Sequence, residues 1–184
     1  MTMTGFLKLI IGPMYSGKTT AIINIYKSLI QENKRNIVIN YIDDKRYDNT
    51  LLSSHDRVKI PCLQMRNITD IFSFSSLERT EVVLINEGQF FNDLKESVVK
   101  LVNMGKYVYV CGLDGDFRRK KFGQIIDLIP FCDEIEKLYS KCHICSKKAP
   151  FTKRITQEEG QVVIGSSNYV PLCRSCYDNY SFKK

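Results

Sequence analysis

Apolar residues along this chain fall into two rhythms. Phe6–Ile11 is apolar apart from Lys8 and stops at Gly12, the pattern of a buried strand that ends in a turn. Ala21, Ile22, Ile25 and Leu29 then recur at helical spacing, which predicts a helix over about 17–32. Residues 36–42 predict a second strand. Val82–Ile85 is an unbroken apolar run, as expected of a strand buried on both faces. Residues 93–104 are amphipathic and stop at Gly105, which predicts a helix with a glycine cap. A strand over 107–111, a short helix over 125–131 and a last strand over 134–139 complete the series. Strands alternating with helices imply an α/β fold whose mainly parallel sheet is flanked by helices. From Ser140 the pattern changes to cysteines, turn residues and short extended pieces. The reading therefore divides the chain into an α/β domain over 1–139 and a small cysteine-bearing domain over 140–184.

Composition narrows the class. With 184 residues, 43% hydrophobic and 26% charged, the chain is globular, which excludes disorder, collagen and coiled coil as its main state. No segment approaches the ~18–20 apolar residues that span a bilayer. Met1-Thr2-Met3-Thr4-Gly5 carries no basic region before its apolar run, so the expectation is a cytoplasmic protein without a secretory signal or membrane partner. The net charge of +7 suits a polyanionic partner of unspecified kind, with one dense cluster at Arg118, Arg119, Lys120 and Lys121.

Gly12-Pro13-Met14-Tyr15-Ser16-Gly17-Lys18-Thr19 fits G-x-x-x-x-G-K-[ST] without a mismatch, and it follows a predicted strand and opens a predicted helix. Glycine lets backbone amides converge on a polyphosphate, and the helix N-terminus adds a favourable dipole. Lys18 is expected to reach the β/γ-phosphates, and the Thr19 hydroxyl to bind Mg²⁺. The fold is then of the P-loop NTPase type. Val82–Ile85 leads into Asn86-Glu87-Gly88-Gln89-Phe90-Phe91. Such strands usually end in an Asp that serves the magnesium shell, and here Asn86 keeps the acceptor oxygen but not the charge. Glu87 follows at the carboxyl edge of the sheet, where it can accept a proton from an attacking hydroxyl. Position alone leaves it equally a solvated surface acid.

The odd total of seven cysteines and the paired spacing argue for metal rather than disulfides. Cys142, Cys145, Cys173 and Cys176 form two C-x-x-C knuckles. Four thiolates fill a tetrahedral Zn²⁺ site and leave no open position, so the site is expected to be structural. It would clamp the base of a loop that carries Thr152, Lys153, Arg154, Gly160, Val162 to Gly165 and Tyr169. On these motifs, two other readings stay open: another small nucleoside or nucleotide kinase, and a zinc-ribbon nucleic-acid-binding ATPase. Against the first stand Tyr15, where monophosphate kinases usually carry glycine, and the terminal position of the cysteine pairs. Against the second stands the lack of aromatic and basic interleaving.

The phosphate loop, the Asn-Glu-Gly-Gln-Phe-Phe stretch, Gly112-Leu113-Asp114-Gly115-Asp116-Phe117-Arg118-Arg119-Lys120 and the cysteine pairs stand in one order. Together they resemble the type II thymidine kinases, the small zinc-containing cellular and viral kind, from about Gly5 to Tyr177. The resemblance implies a homotetramer that moves the γ-phosphoryl of ATP to the 5′-hydroxyl of thymidine, with thymidine triphosphate as feedback inhibitor. It implies that Glu87 is the general base and that Phe117 lies beside the thymine ring. Met14, Phe90, Leu113 and Phe122 match other pocket positions. The clamped loop resembles the family's lasso, with Thr152, Gln161, Val162, Val163, Ile164, Gly165 and Tyr169 at its substrate positions. Asp44 and Arg46 align with an acid and a base after the second strand. The family usually has Asp where Asn86 stands.

Overall fold

The computed structural model describes residues 4–42, 51–53, 58–163 and 165–180. In chain order it begins with strand β1 (Phe6–Ile11), helix α1 (Lys18–Gln31) and strand β2 (Asn36–Tyr41). An antiparallel pair, β3 (Leu51–Ser53) and β4 (Lys59–Pro61), precedes strand β5 (Leu63–Met65). A 3-10 turn at Ile68–Ser73 and helix α2 (Ser76–Arg79) lead into strand β6 (Val82–Ile85), helix α3 (Leu94–Asn103) and strand β7 (Tyr107–Gly112). Next come a 3-10 segment, Ile125–Phe131, and strand β8 (Glu134–Lys137). The remaining pieces are short: β9 (Ser140–Lys141), β10 (Lys148–Ala149), β11 (Phe151–Arg154), β12 (Tyr169–Leu172) and α4 (Arg174–Asp178).

Six strands form one parallel sheet in the order β5-β2-β6-β7-β1-β8. The apolar runs of its central strands follow from burial on both faces, because successive side chains point to opposite sides. Leu7, Leu9, Val83, Ile85, Val108 and Val110 enter one core, which α3 covers with Leu94, Val98 and Leu101. Ile10, Val82, Leu84 and Cys111 face the other, which α1 covers with Ile22, Ile23 and Leu29. A third buried cluster gathers Cys142, Ala149, Val170, Leu172, Cys173 and Tyr177. All six parallel strands end at one edge, so the phosphate loop after β1 and the Asn86-Glu87 pair after β6 open on the same side. Strand β7 runs between them. Among the described residues no helix is long and apolar enough to cross a membrane.

The expected elements are present, with shorter or longer ends. The last strand stops at Lys137 rather than 139. The helix expected over 125–131 is a 3-10 segment, and Pro130 inside it has no N–H to donate. Strand β5 and the β3–β4 pair went unread because three residues are too few to show a period.

One buried cation supports this frame. Lys106, 8% exposed, donates through Nζ to the carbonyls of Leu77 at 2.9 Å, Glu78 at 3.3 Å and Thr80 at 2.7 Å. These belong to the C-terminal end of α2, where the Leu77 carbonyl also accepts from the Thr80 amide but the Glu78 and Thr80 carbonyls lack intrahelical partners. Lys106→Met should therefore cost on the order of 3 kcal/mol, because it leaves buried acceptors unpaired. A urea-unfolding midpoint measures this, and an unchanged midpoint would show that water replaces the ammonium.

Candidate active site

The phosphate loop is a tight turn between β1 and α1. Tyr15 (φ 62) and Gly17 (φ 85) are left-handed. A Cβ at Gly17 would meet nothing within 4 Å, so glycine serves its backbone angle there. At Gly12 the reason is space: a Cβ would come within 2.5 Å of the Leu138 carbonyl oxygen. Lys18 is buried at 8% exposure, and its Nζ lies across the loop, 2.6 Å from the Pro13 carbonyl and 3.5 Å from Ser16 Oγ. Thr19 sits half-buried in the first turn of α1, Pro13 is buried and Tyr15 is exposed.

At the end of β6, Glu87 is also left-handed, with φ 54 and ψ 41. For a residue with a side chain this costs roughly 1–2 kcal/mol, so the surroundings must hold it. Its Oε2 accepts from Gln89 Nε2 at 2.6 Å. Gln89 is 3% exposed, and its own Oε1 accepts from the Leu113 amide at 3.0 Å. Gln89 thus braces the Glu87 carboxylate against the chain beyond β7. Sequence reading gave Gln89 no role, since nothing in its spacing separates it from its neighbours.

Asn86 is 1% exposed and both ends of its amide are engaged. Its Nδ2 donates to Asn40 Oδ1 at 2.8 Å, and its Oδ1 accepts from Cys111 Sγ at 3.0 Å. The side chain therefore ties β6 to β2 and β7. The oxygen expected to face magnesium faces the Cys111 thiol. Burial, followed by the Glu87 charge, pushes that thiol up to about 12, which keeps it protonated and a donor. The Lys18 charge acts on the same thiol in the opposite sense, so both charges converge on this edge of the sheet.

Several of the remaining candidates make contacts of their own. Phe90 stacks on Tyr41 at 5.3 Å and meets Phe122 edge-on at 5.5 Å. Met14 is half-buried, and its amide donates to Thr152 Oγ1 at 2.9 Å, which seats β11 on the phosphate loop. Phe117 is half-buried, with the Arg154 guanidinium 3.7 Å from its ring centroid. Its carbonyl accepts from the Tyr177 hydroxyl, one residue after Cys176. Gln161 Nε2 donates to Asp116 Oδ2 at 2.9 Å and to the Lys121 carbonyl at 3.2 Å. Tyr169 donates through its hydroxyl to the Val163 carbonyl at 3.2 Å. Leu113 and Gly165 are half-buried, and Val162 is exposed. Asp44, Arg46 and Ile164 lie outside the described residues. Arg154, buried at 1% exposure, is the second residue without an expected role, since a lysine–arginine pair in a loop reads as solvated.

Cys142, Cys145, Cys173 and Cys176 converge, their sulfurs all within 4.8 Å of one another and Cys145 Sγ 3.6 Å from Cys173 Sγ. A tetrahedral zinc with Zn–S of ~2.3 Å has sulfur–sulfur edges of about 3.8 Å, so the cluster fits such an ion. Burial opposes charge on Cys142, but backbone hydrogen bonds from Cys173, Cys145 and Ile144 outweigh it and hold the thiol near about 6.

Comparison with known proteins places this arrangement. The thymidine kinase family model matches residues 5–177. A thymidine kinase of Myxoma virus (strain Uriarra) is 38% identical over 94% of this chain and 96% of its own length. A cytosolic thymidine kinase of Bos taurus is 37% identical over 98% of this chain and 73% of its own. One of rice, Oryza sativa subsp. japonica, is 36% identical over 94% of this chain and 66% of its own.

Proposed function

The chain belongs to the thymidine kinase family and is a kinase, and from that membership we propose that it transfers the γ-phosphoryl of ATP to the 5′-hydroxyl of thymidine. One observation carries the chemistry. A carboxylate, Glu87, is held in a strained turn by Gln89 at the same sheet edge as the phosphate loop. Phosphoryl transfer depends on alignment and charge neutralisation more than on covalent chemistry. Lys18 exchanges its Pro13 contact for the phosphate oxygens, and the loop from Gly12 to Thr19 cradles them with its backbone amides from Tyr15 onward. Glu87 takes the proton of the 5′-hydroxyl as the oxygen attacks phosphorus.

Thr19 is the residue that would hold a magnesium ion, which would supply charge neutralisation at the phosphates. Asn86, expected beside it, has its amide committed to Asn40 and Cys111, so we assign it to steadying the turn that carries Glu87. Asn86→Ala should therefore lower kcat about tenfold while the magnesium concentration for half-maximal rate stays within about twofold. A tenfold rise in that concentration would return Asn86 to the metal shell.

Phe117, Phe90, Phe122, Met14 and Leu113 form the wall for the base. The loop between β11 and β12, with Gln161, Val162, Val163, Ile164 and Gly165, together with Thr152 on β11 and Tyr169 on β12, covers it and excludes water. The four cysteines hold one structural zinc that anchors this loop. Residues 1–139 and 140–184 act as catalytic and covering units. Asp44 and Arg46 serve the acceptor side. Family membership further supports a cytoplasmic homotetramer, inhibited by thymidine triphosphate.

The test is ADP release from Mg-ATP with thymidine, deoxyuridine, deoxycytidine, deoxyadenosine, the matching monophosphates and single-stranded DNA. Thymidine-dependent release supports the assignment. Stimulation by DNA alone, or by a monophosphate alone, overturns it.

A further inference from the structure

Arg154 is the largest fully enclosed side chain among the described residues, 1% exposed. A buried guanidinium ordinarily sits against a carboxylate, because burying a charge is costly unless it is paired or fully hydrogen-bonded. Among the described residues Arg154 has no ion-pair partner. The chain that follows it takes the four N–H groups of Nη1 and Nη2, while the buried Nε has no hydrogen-bond partner. Nη1 donates to the Glu158 carbonyl at 2.7 Å and to the Gly160 carbonyl. Nη2 donates to the Gln161 carbonyl at 3.1 Å and to the Tyr169 hydroxyl at 2.6 Å. The chain from 158 to 161 therefore turns three carbonyls toward a positive centre.

The same guanidinium lies 3.7 Å from the centroid of Phe117, across from the loop. Outside this centre the loop is tied down again, by Arg118 Nη2 to the Glu159 carbonyl at 2.8 Å and by Gln161 to Asp116. At its base, Thr152 holds the Met14 amide.

We propose that Arg154 is a positioning residue for the nucleoside: its planar fork latches the covering loop from inside and packs on the Phe117 ring, over which Arg118 also lies at 4.9 Å, so that the ring is held where it walls the base. This rests on the kinase reading above. A lysine cannot reproduce it, since its single ammonium lacks the rigid fork that reaches three carbonyls, a hydroxyl and a ring face together. Tyr169 acts within the latch, accepting from Arg154 and donating to Val163.

The experiment compares wild type, Arg154→Lys, Arg154→Met and Tyr169→Phe. Two readouts are used: KM for thymidine against KM for ATP, and hydrogen exchange of the amides over 158–163. Both Arg154 variants should raise KM for thymidine at least tenfold with KM for ATP within twofold, and speed exchange in the loop at least tenfold. Tyr169→Phe should move the same readouts in the same direction by less. Wild-type behaviour in Arg154→Lys overturns the latch, and so does a parallel rise in both KM values. Should Arg154→Met not fold, the Lys variant alone decides. Exchange also separates the two claims: a wild type without thymidine turnover refutes the kinase reading, while loop exchange still tests the latch.

Discussion

Glu87→Gln should reduce kcat by about 10²–10⁴-fold, the range that a positioned general base contributes. The KM values for ATP and thymidine should change little. The substitution is nearly isosteric, and the new amide oxygen can still accept from Gln89 Nε2, which now reaches the carboxylate at 2.6 Å. The left-handed turn at φ 54 is set by the backbone and by its buried neighbours Asn86 and Gln89, so the fold should survive. What disappears is the ability to take a proton. Steady-state kinetics on a variant with unchanged thermal unfolding measures this directly. Near-normal turnover would remove Glu87 from the role of base and leave it a positioning group.

Stripping the metal from the four-cysteine cluster should have the other large effect. Structural zinc sites contribute roughly 10–16 kcal/mol of apparent binding free energy, which is folding free energy for the segment they close. The third core contains Cys142 and Cys173, so loss of the ion should loosen that core as a unit. Two ties would go with it: Thr152 on the Met14 amide, and the Tyr177 hydroxyl on the Phe117 carbonyl. ATP affinity should stay within a few-fold, because the phosphate loop runs directly between β1 and α1 and keeps both when the Thr152 tie is lost. Thymidine turnover should fall at least a hundredfold. Elemental analysis should find one zinc per chain before chelation, and Cys173→Ser should reproduce the chelated state. Retained turnover in metal-free protein would detach the cluster from nucleoside binding.

These expectations divide between what the sequence shows and what only packing supplies. The central sheet strands were legible because burial on both faces writes unbroken apolar runs such as Val82–Ile85. The amphipathic pattern of α3 was legible because Leu94, Val98 and Leu101 recur on one face. The phosphate loop and the cysteine pairs were legible because their chemistry requires fixed spacing over a few residues. Glu87 could be named a candidate from its place at a strand end, while only the family resemblance implied its role. Gln89, Arg154 and the engagement of Asn86 could not. Each depends on partners distant in sequence: Leu113 for Gln89, Phe117 for Arg154, Asn40 and Cys111 for Asn86. A polar residue that supports another polar residue leaves no periodic trace. Asn86 shows the consequence, since its place in the motif suggests a metal ligand while its hydrogen bonds to Asn40 and Cys111 are visible only in the packing.

The most direct test of the central claim is to follow label from γ-³²P-ATP in the presence of thymidine and magnesium. The account predicts that the label appears on thymidine at the 5′ position, stoichiometric with the ADP formed, and that the Glu87→Gln enzyme transfers it at least a hundredfold more slowly. Label released only as inorganic phosphate, with thymidine unmodified, would contradict it and make the chain a nucleotide hydrolase.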